Sequence, residues 1–348
     1  MGRLITPGKA LGQLLLEAGI NGICVTRPFN KKRLLELGLQ EIAISILIDE
    51  LSVCKSEASL YCKPLLEDHG VEIAVPNREG RQYDYVVARR NCSIPIISWR
   101  DLYQQLPSPP LPAVVVDMSK RNIHTEEELS SLKVQLAITL SVVRRYLWDP
   151  HLILSSAGED VKSWLADMIG NAKIQIRSER PGRILWSMSA DKVIILRPDA
   201  EKVLSEQEIV EADAFLIGGV VDKIPRPGVS RFLDSAVPWG KPRRIELRGS
   251  LVGVPERINR IVEILFKVKF DGMRLEEAIL TSMAKKDVYR RLHVEIMRAS
   301  KGGKKPLSRR HYEMLKAWLP INCRDYLEVT KKSGVPVGWD CEGEDNSG

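Results

Sequence analysis

At 348 residues, with 44% hydrophobic and 28% charged side chains, the chain has the composition of a soluble globular protein and the length of two or three domains. Its net charge is +7, no run approaches the roughly 20 apolar residues of a membrane-spanning helix, and the opening MGRLITPGKALGQ lacks a signal-peptide core, so a cytoplasmic protein away from membranes is expected. The six cysteines (Cys24, Cys54, Cys62, Cys92, Cys323, Cys341) form no CxxC pair and the five histidines lie far apart, so neither a metal site nor a disulfide framework is expected, and the thiols read as buried.

Residues 1–105 read as a small α/β domain. Helical patterns, "ALGQLLLEAG" and "KKRLLELG", alternate with the β-rich runs "GICVTR", "EIAISIL", "VEIAVP" and "YDYVVARR". Residues 106–113, "LPSPPLPA", carry four prolines in eight positions, which precludes regular helix and marks a linker.

After the linker, "AVVVDM" is a continuous apolar strand ending in Asp117. The helix "HTEEELSSLKVQLAITLSVVRRYL" opens on a capping box, Thr125 with Glu128. "HLILSS" is a strand, "EDVKSWLADMIG" a helix, and "KIQIRS", "ILWSMS", "KVIILR", "DAFLIGG" and "RRIELRG" read as further strands. "PERINRIVEILFKVKF" closes the unit as a helix with Pro255 in its first turn. Near-continuous apolar strands alternating with helices predict a mostly parallel sheet, whose ligands bind beyond the carboxyl ends of the strands. The strand "DAFLIGG" ends at such a place.

Known nucleotide signatures do not fit. No GxGxxG follows the first strand, and Gly303-Lys304 is not a P-loop because Arg298 stands where the leading glycine is required. Gly218 and Gly219 suit either a tight turn or a ligand held by backbone groups, and the second glycine-bearing loop, "RGSLVGV", adds weight to the ligand. Asp222 just beyond is a site acid, a helix cap or an ion-pair partner; Asp117 is a site residue or the cap of its own turn. From Lys285 to Lys316 the chain holds eleven Lys and Arg against three acids, a surplus of eight, so the remainder sums to one negative charge. With Tyr289, Tyr312 and Trp318 nearby, this stretch suits phosphates, or is a solvated helical face. The acidic end "DCEGEDNSG" reads as a frayed tail.

The succession "AVVVDMS", "LKVQLAITLSVVRRY", "HLILSS", "IILRPD", "FLIGGVVDK" and "RGSLVGVPERINRIVEIL" resembles the SPOUT-class tRNA methyltransferases that methylate N1 of the purine at position 9, in their archaeal branch, over about residues 112–270. The resemblance implies an α/β fold whose mostly parallel sheet is tied in a trefoil knot (residues 114–284), flanked by an N-terminal α/β domain (1–105) that binds RNA and a basic helical C-terminal segment (285–348) with a disordered acidic tail. It implies S-adenosylmethionine as cofactor, with Leu216, Gly218 and Gly219 lining its site from one side and Leu247, Gly249, Val252, Val254 and Asn259 from the other. Asp222 matches the acid proposed as general base, and Asp117 and Gln135 match family polar positions. The chain departs from the family's hydroxyl pattern at Arg197 and Ala200. The expected partner is tRNA, held through Lys304, Lys305, Arg309 and Arg310, with no metal and a monomer favoured over a dimer. Adenine is the favoured base, with guanine or both purines as alternatives. Alternatives are a knotted methyltransferase acting on another tRNA or ribosomal RNA site, and a non-catalytic RNA-binding protein of the same fold.

Overall fold

The computed structural model describes residues 5–26, 29–49, 51–88, 95–220 and 231–341. Two units share the chain, one formed by Met1–Ile195 with Ala212–Lys241 and the other by Leu196–Glu211 with Pro242–Gly348.

The first unit opens with α1 (Pro7–Glu17), β1 (Gly22–Val25), α2 (Lys31–Leu37), α3 (Leu39–Asp49), β2 (Ser52–Asp68), β3 (Val71–Pro76), β4 (Arg81–Ala88), β5 (Pro95–Ser98) and α4 (Trp99–Gln104). The five strands lie in the order β3-β1-β4-β2-β5, and the long β2 also pairs with β3, so the pairing returns on itself. "EIAISIL" is helix rather than strand. Its isoleucines favour β structure locally, but Ile42, Ala43, Ile46 and Leu47 bury at helical spacing, and the Asp68 carboxylate accepts from the Leu39 N–H (2.8 Å) at the helix start.

The cysteine expectation is also corrected. Cys24 and Cys62 are joined across this ring with Cα atoms 6.3 Å apart, and Cys323 and Cys341 with Cα atoms 5.8 Å apart. Separations of 38 and 18 residues leave no local signature; the fold brings these pairs within bonding reach.

The chain continues through β6 (Ala113–Asp117), α5 (Glu126–Tyr146), β7 (Leu152–Ser155), α6 (Glu159–Ile169), β8 (Gln175–Ile176), α7 (Pro181–Ser187), β9 (Val193–Leu196), α8 (Glu206–Glu211), β10 (Ala214–Gly218), α9 (Phe232–Ala236) and β11 (Lys241–Arg243). The second sheet has the order β11-β9-β10-β6-β7-β8, with β10, β6, β7 and β8 parallel. Every residue of the central strand β6 is buried, which requires cover on both faces. Ala113, Val115, Ile153, Ile195, Ala214 and Leu216 share one core with residues of α7 and α9. Thr125 and Glu128 form the expected capping box on α5, whose last turn carries Arg144 and Arg145 where cations complement the helix dipole.

"ILWSMS" is corrected from strand to helix. Pro181 fixes the first turn of α7, and Ile184, Leu185 and Met188 then share its buried face. "RRIELRG" forms strand only as far as Arg243, continuing through isolated bridges at Arg244 and Leu247.

In the second unit, α10 (Ile258–Asp271), α11 (Leu275–Ser282), α12 (Lys285–Ala299), α13 (Arg309–Lys316) and α14 (Cys323–Lys332) follow. Pro255 lies two residues before the N-cap Arg257 of α10, outside the first turn: the backbone is still extended at Arg257 (φ −73°, ψ +137°), and the helix begins at Ile258. The C-terminal segment has a core of its own, with Val288, Leu292 and Ile296 packed among residues that include Tyr312, Leu315, Tyr326 and Val329. Residues 342–348, most of the acidic tail, lie outside the described residues. Among the described residues, no helix is long and apolar enough to cross a membrane, and no group of three His, Cys, Asp or Glu side chains could hold a metal.

Candidate functional site

Three neighbouring parallel strands of the first unit end at one level, where Gly218, Asp117 and Ser155 stand opposite one another across β10, β6 and β7. Asp117 is buried. Its carboxylate accepts from the Ser119 N–H (3.3 Å), the Ser119 hydroxyl (2.9 Å) and the Ser155 hydroxyl (3.4 Å), so it caps the turn leaving its own strand. The Gly219 N–H donates to the Asp117 carbonyl at 2.9 Å. A Cβ at position 219 would lie 2.9 Å from that carbonyl oxygen and 2.9 Å from Met118 Sδ, closer than real side chains approach. Position 218 is different, because a Cβ there would meet Leu233 Cδ1 at 3.6 Å, an ordinary contact.

Leu216 is fully buried with Val115 and Leu233, so its side chain belongs to the sheet packing. Gln135 is buried on α5; its amide donates to the Ser131 hydroxyl (3.3 Å) and its backbone carbonyl accepts from Thr139. Asp222 falls within residues 221–230, outside the described residues.

In the second unit, the Leu247 N–H donates to the Ser250 carbonyl (2.8 Å), and the reverse bond is 3.2 Å. Between them Arg248 and Gly249 both have positive φ, +50° and +71°, the pattern of a type I′ turn. Nothing lies within 4 Å of where a Gly249 Cβ would be, so the turn faces open space. Leu247 is buried and Val252 half-buried; the Val252 N–H donates to the Ser250 hydroxyl at 3.1 Å, and buried Val254 follows. Asn259 stands in the first turn of α10, 6% exposed, and its Oδ1 has no hydrogen-bond partner among the described residues. A buried amide oxygen left unmet costs about 1–3 kcal/mol, so this atom calls for a donor from a ligand or an ordered water. A ligand carrying amino or hydroxyl donors would meet the acceptor of Asn259.

The basic stretch is only partly a free cationic surface. Arg291 is buried; Lys285 pairs with Asp325 (3.3 Å), Arg290 with Glu256 (3.2 Å) and Arg309 with Glu313 (3.7 Å). Lys304, Lys305 and Arg310 are exposed, and their side chains have no ion pair or hydrogen bond among the described residues. They surround a turn in which Lys301, Gly302 and Gly303 all have positive φ. Of the aromatics near this stretch, Tyr312 is fully buried in the core, the Tyr289 hydroxyl donates towards Asp325 (2.6 Å) or Glu328 (2.9 Å), and Trp318 lies under two arginines.

Sequence reasoning does not single out Ser155, whose hydroxyl meets Asp117 in the first unit, nor the parts that Arg291 and Trp318 play at the turn of the second. For Arg291 the signal was present: a cation within the apolar stripe of Val288, Leu292 and Ile296 must find partners indoors.

The two strand-end glycines make a direct test. Gly219→Ala is expected to destabilise the protein by about 1–3 kcal/mol through forced displacement of the Asp117 backbone. Gly218→Ala is expected to change stability by less than about 1 kcal/mol, as at a compatible backbone position. Urea unfolding of both variants checks the asymmetry; equal effects would mean that the β6 end does not impose glycine.

The tRNA (guanine(9)-N(1))-methyltransferase TRM10/TRM10A family model matches residues 100–229. A tRNA (adenine(9)-N1)-methyltransferase of Sulfolobus acidocaldarius is 29% identical over 299 residues, 83% of this chain and 88% of the relative. A tRNA (guanine(9)-/adenine(9)-N1)-methyltransferase of Thermococcus kodakarensis is 27% identical over 333 residues, 92% of this chain and 86% of the relative. In architecture the chain is similar to the crystal structure of Sulfolobus acidocaldarius Trm10 in complex with S-adenosylhomocysteine, with a TM-score of 0.70, 24% identity, and coverage of 94% of this chain and 99% of the other. The family model spans the strands that end at Asp117, Ser155 and Gly218, and two archaeal purine-9 methyltransferases extend the likeness over most of the chain: the protein is similar to the TRM10 family, in its archaeal branch.

Proposed function

We propose that this protein transfers a methyl group from S-adenosylmethionine to N1 of the purine at position 9 of tRNA. The observation that carries the reading is Asn259, a buried amide with an unmet acceptor in the first turn of α10, ten residues after a glycine turn that faces open space, in a chain whose relatives are purine-9 methyltransferases. The residues assigned to the cofactor are Leu247, Gly249, Val252, Val254 and Asn259 of the second unit and Leu216, Gly218 and Gly219 of the first. The trefoil knot belongs to this proposal, as do a monomeric state, a domain division at residues 106–113 and an RNA-binding role for residues 1–105.

S-adenosylmethionine supplies an electrophilic methyl on a sulfonium, and no metal is required for its displacement. The chain's own task is to hold the base in line and manage one proton. Neutral adenine offers a lone pair at N1. Guanine carries a proton there, which Asp222 accepts as general base. For adenine the same carboxylate stabilises the cationic product instead. Adenine is the first target to test, since one relative is named for adenine alone and the other for both purines.

Phosphates are assigned to Lys304, Lys305, Arg309 and Arg310. Replacing all four with Ser is expected to weaken tRNA binding and flatten its salt dependence, by up to about 0.9 log unit for each phosphate no longer neutralised, in the duplex limit. Filter binding across a salt series measures the slope, and an unaltered slope would leave this turn a solvated face.

The role of Asp222 is read from the base. Asp222→Asn is expected to lower any guanine methylation by about a hundredfold or more and adenine methylation by less. Single-turnover rates from pH 6 to 9, with tRNAs carrying A or G at position 9, separate the two. A variant equal to wild type on every accepted substrate would remove Asp222 from the chemistry.

A further inference from the structure

Arg291 is 1% exposed, on the core-facing side of α12. Its Nη1 donates to two carbonyls of one loop, Leu247 at 2.8 Å and Val252 at 3.3 Å, and its Nη2 pairs with Glu295 at 2.8 Å. The two carbonyls bracket the type I′ turn. The same loop meets α12 a third time at Gly253, φ +89°, where a Cβ would lie 2.7 Å from Arg291 Cβ. The turn is also held from its tip, because the Arg248 guanidinium lies 4.3 Å from the centre of the Trp318 ring and donates to Glu276 (2.8 Å), while Arg291 lies 5.3 Å from the same ring.

Stability alone does not explain an arginine here. Its Nε has no partner among the described residues, and a buried ion pair adds little over an apolar residue of the same volume. What no apolar residue offers is a planar guanidinium whose Nη1 donates to both carbonyls while Nη2 is held by Glu295, so that the two carbonyls are fixed against one oriented group. Arg248, a non-glycine residue at positive φ, is a costly choice for its turn position unless its side chain is held. Both features serve one end, a turn kept in a single shape.

We propose that Arg291 is a positioning residue for the cofactor: by clamping the carbonyls of Leu247 and Val252 it holds the Gly249 turn in the shape that receives S-adenosylmethionine. This rests on the assignment of residues 247–259 to the cofactor. It makes the C-terminal helices part of the methyl-donor site, as well as of the RNA surface.

The test uses the full chain with Arg291→Lys, which keeps charge and stem but not the fork, and Arg291→Met combined with Glu295→Gln, which leaves no buried acid unpaired. Calorimetric titration with S-adenosylhomocysteine is expected to show affinity falling by up to about a hundredfold in the Met-containing variant, with partial recovery in Arg291→Lys. With tRNA methylation as readout, KM for S-adenosylmethionine rises while kcat at saturating cofactor stays within about threefold, the pattern of lost binding rather than lost chemistry. Amide exchange of residues 247–254 quickens in both variants with no cofactor present. A purely structural role would lower melting temperature and scale every parameter with the folded fraction, without that split. Wild-type affinity and wild-type amide exchange in either folded variant would overturn the proposal. Failure of the wild-type chain itself to bind S-adenosylhomocysteine would instead overturn the cofactor assignment, with the exchange measurement still judging the clamp.

Discussion

The carboxyl end of β6 is the constraint around which the first unit is arranged. There the Asp117 carbonyl takes the Gly219 N–H at 2.9 Å, at a separation that leaves no room for a side chain at 219. For that contact to exist, β10 must run parallel to β6 and in register with it, and both must be covered on both faces. The buried residues of β6 and β10 and the core shared with α7 and α9 achieve this. Asp117 itself is consumed by the arrangement, its carboxylate closing the turn through Ser119 and Ser155. The acid at this strand end thus has a structural occupation.

The second unit solves a different problem. A turn with two consecutive positive φ values is fixed by side chains from α11, α12 and the segment after α13: Glu276 accepts from its arginine, Arg291 donates to its flanking carbonyls, and Trp318 lies against Arg248. Further along the chain, the first turn of α10 carries Asn259 with an unmet oxygen. The basic character of α12 and the turn after it is accordingly divided between indoor work by Arg291 and outdoor charge at Lys304, Lys305 and Arg310.

Much of this is legible in the sequence where periodicity and local chemistry agree. The apolar runs at 113–118, 151–156 and 213–219 are strands, and Thr125 with Glu128 does begin a helix. Legibility fails where local preference and tertiary context part. Four isoleucines in residues 41–48 look like a strand until Asp68, distant in sequence, caps the helix they form. "ILWSMS" looks like a strand because its hydrophobic residues are close together, although Pro181 already sets a helix start. The disulfides are invisible because the pairing of Cys24 with Cys62 depends on β1 and β2 lying across a closed ring. Of the site, the glycines are legible as a pattern, but only the structure separates Gly219, which packing demands, from Gly218, which it does not. The burial of Arg291 is legible from the apolar stripe around it, but its carbonyl partners are not, because they lie 44 and 39 residues away.

The most direct measurement is the fate of a labelled methyl group. Incubation of the protein with methyl-labelled S-adenosylmethionine and position-9 A or G transcripts of one tRNA, followed by digestion to nucleosides, reports both the base and the atom modified. The account predicts label in N1-methyladenosine, N1-methylguanosine or both, lost when position 9 is replaced by a pyrimidine. Label that persists in the pyrimidine-9 transcript, or no transfer by a protein that binds both tRNA and S-adenosylhomocysteine, would contradict it.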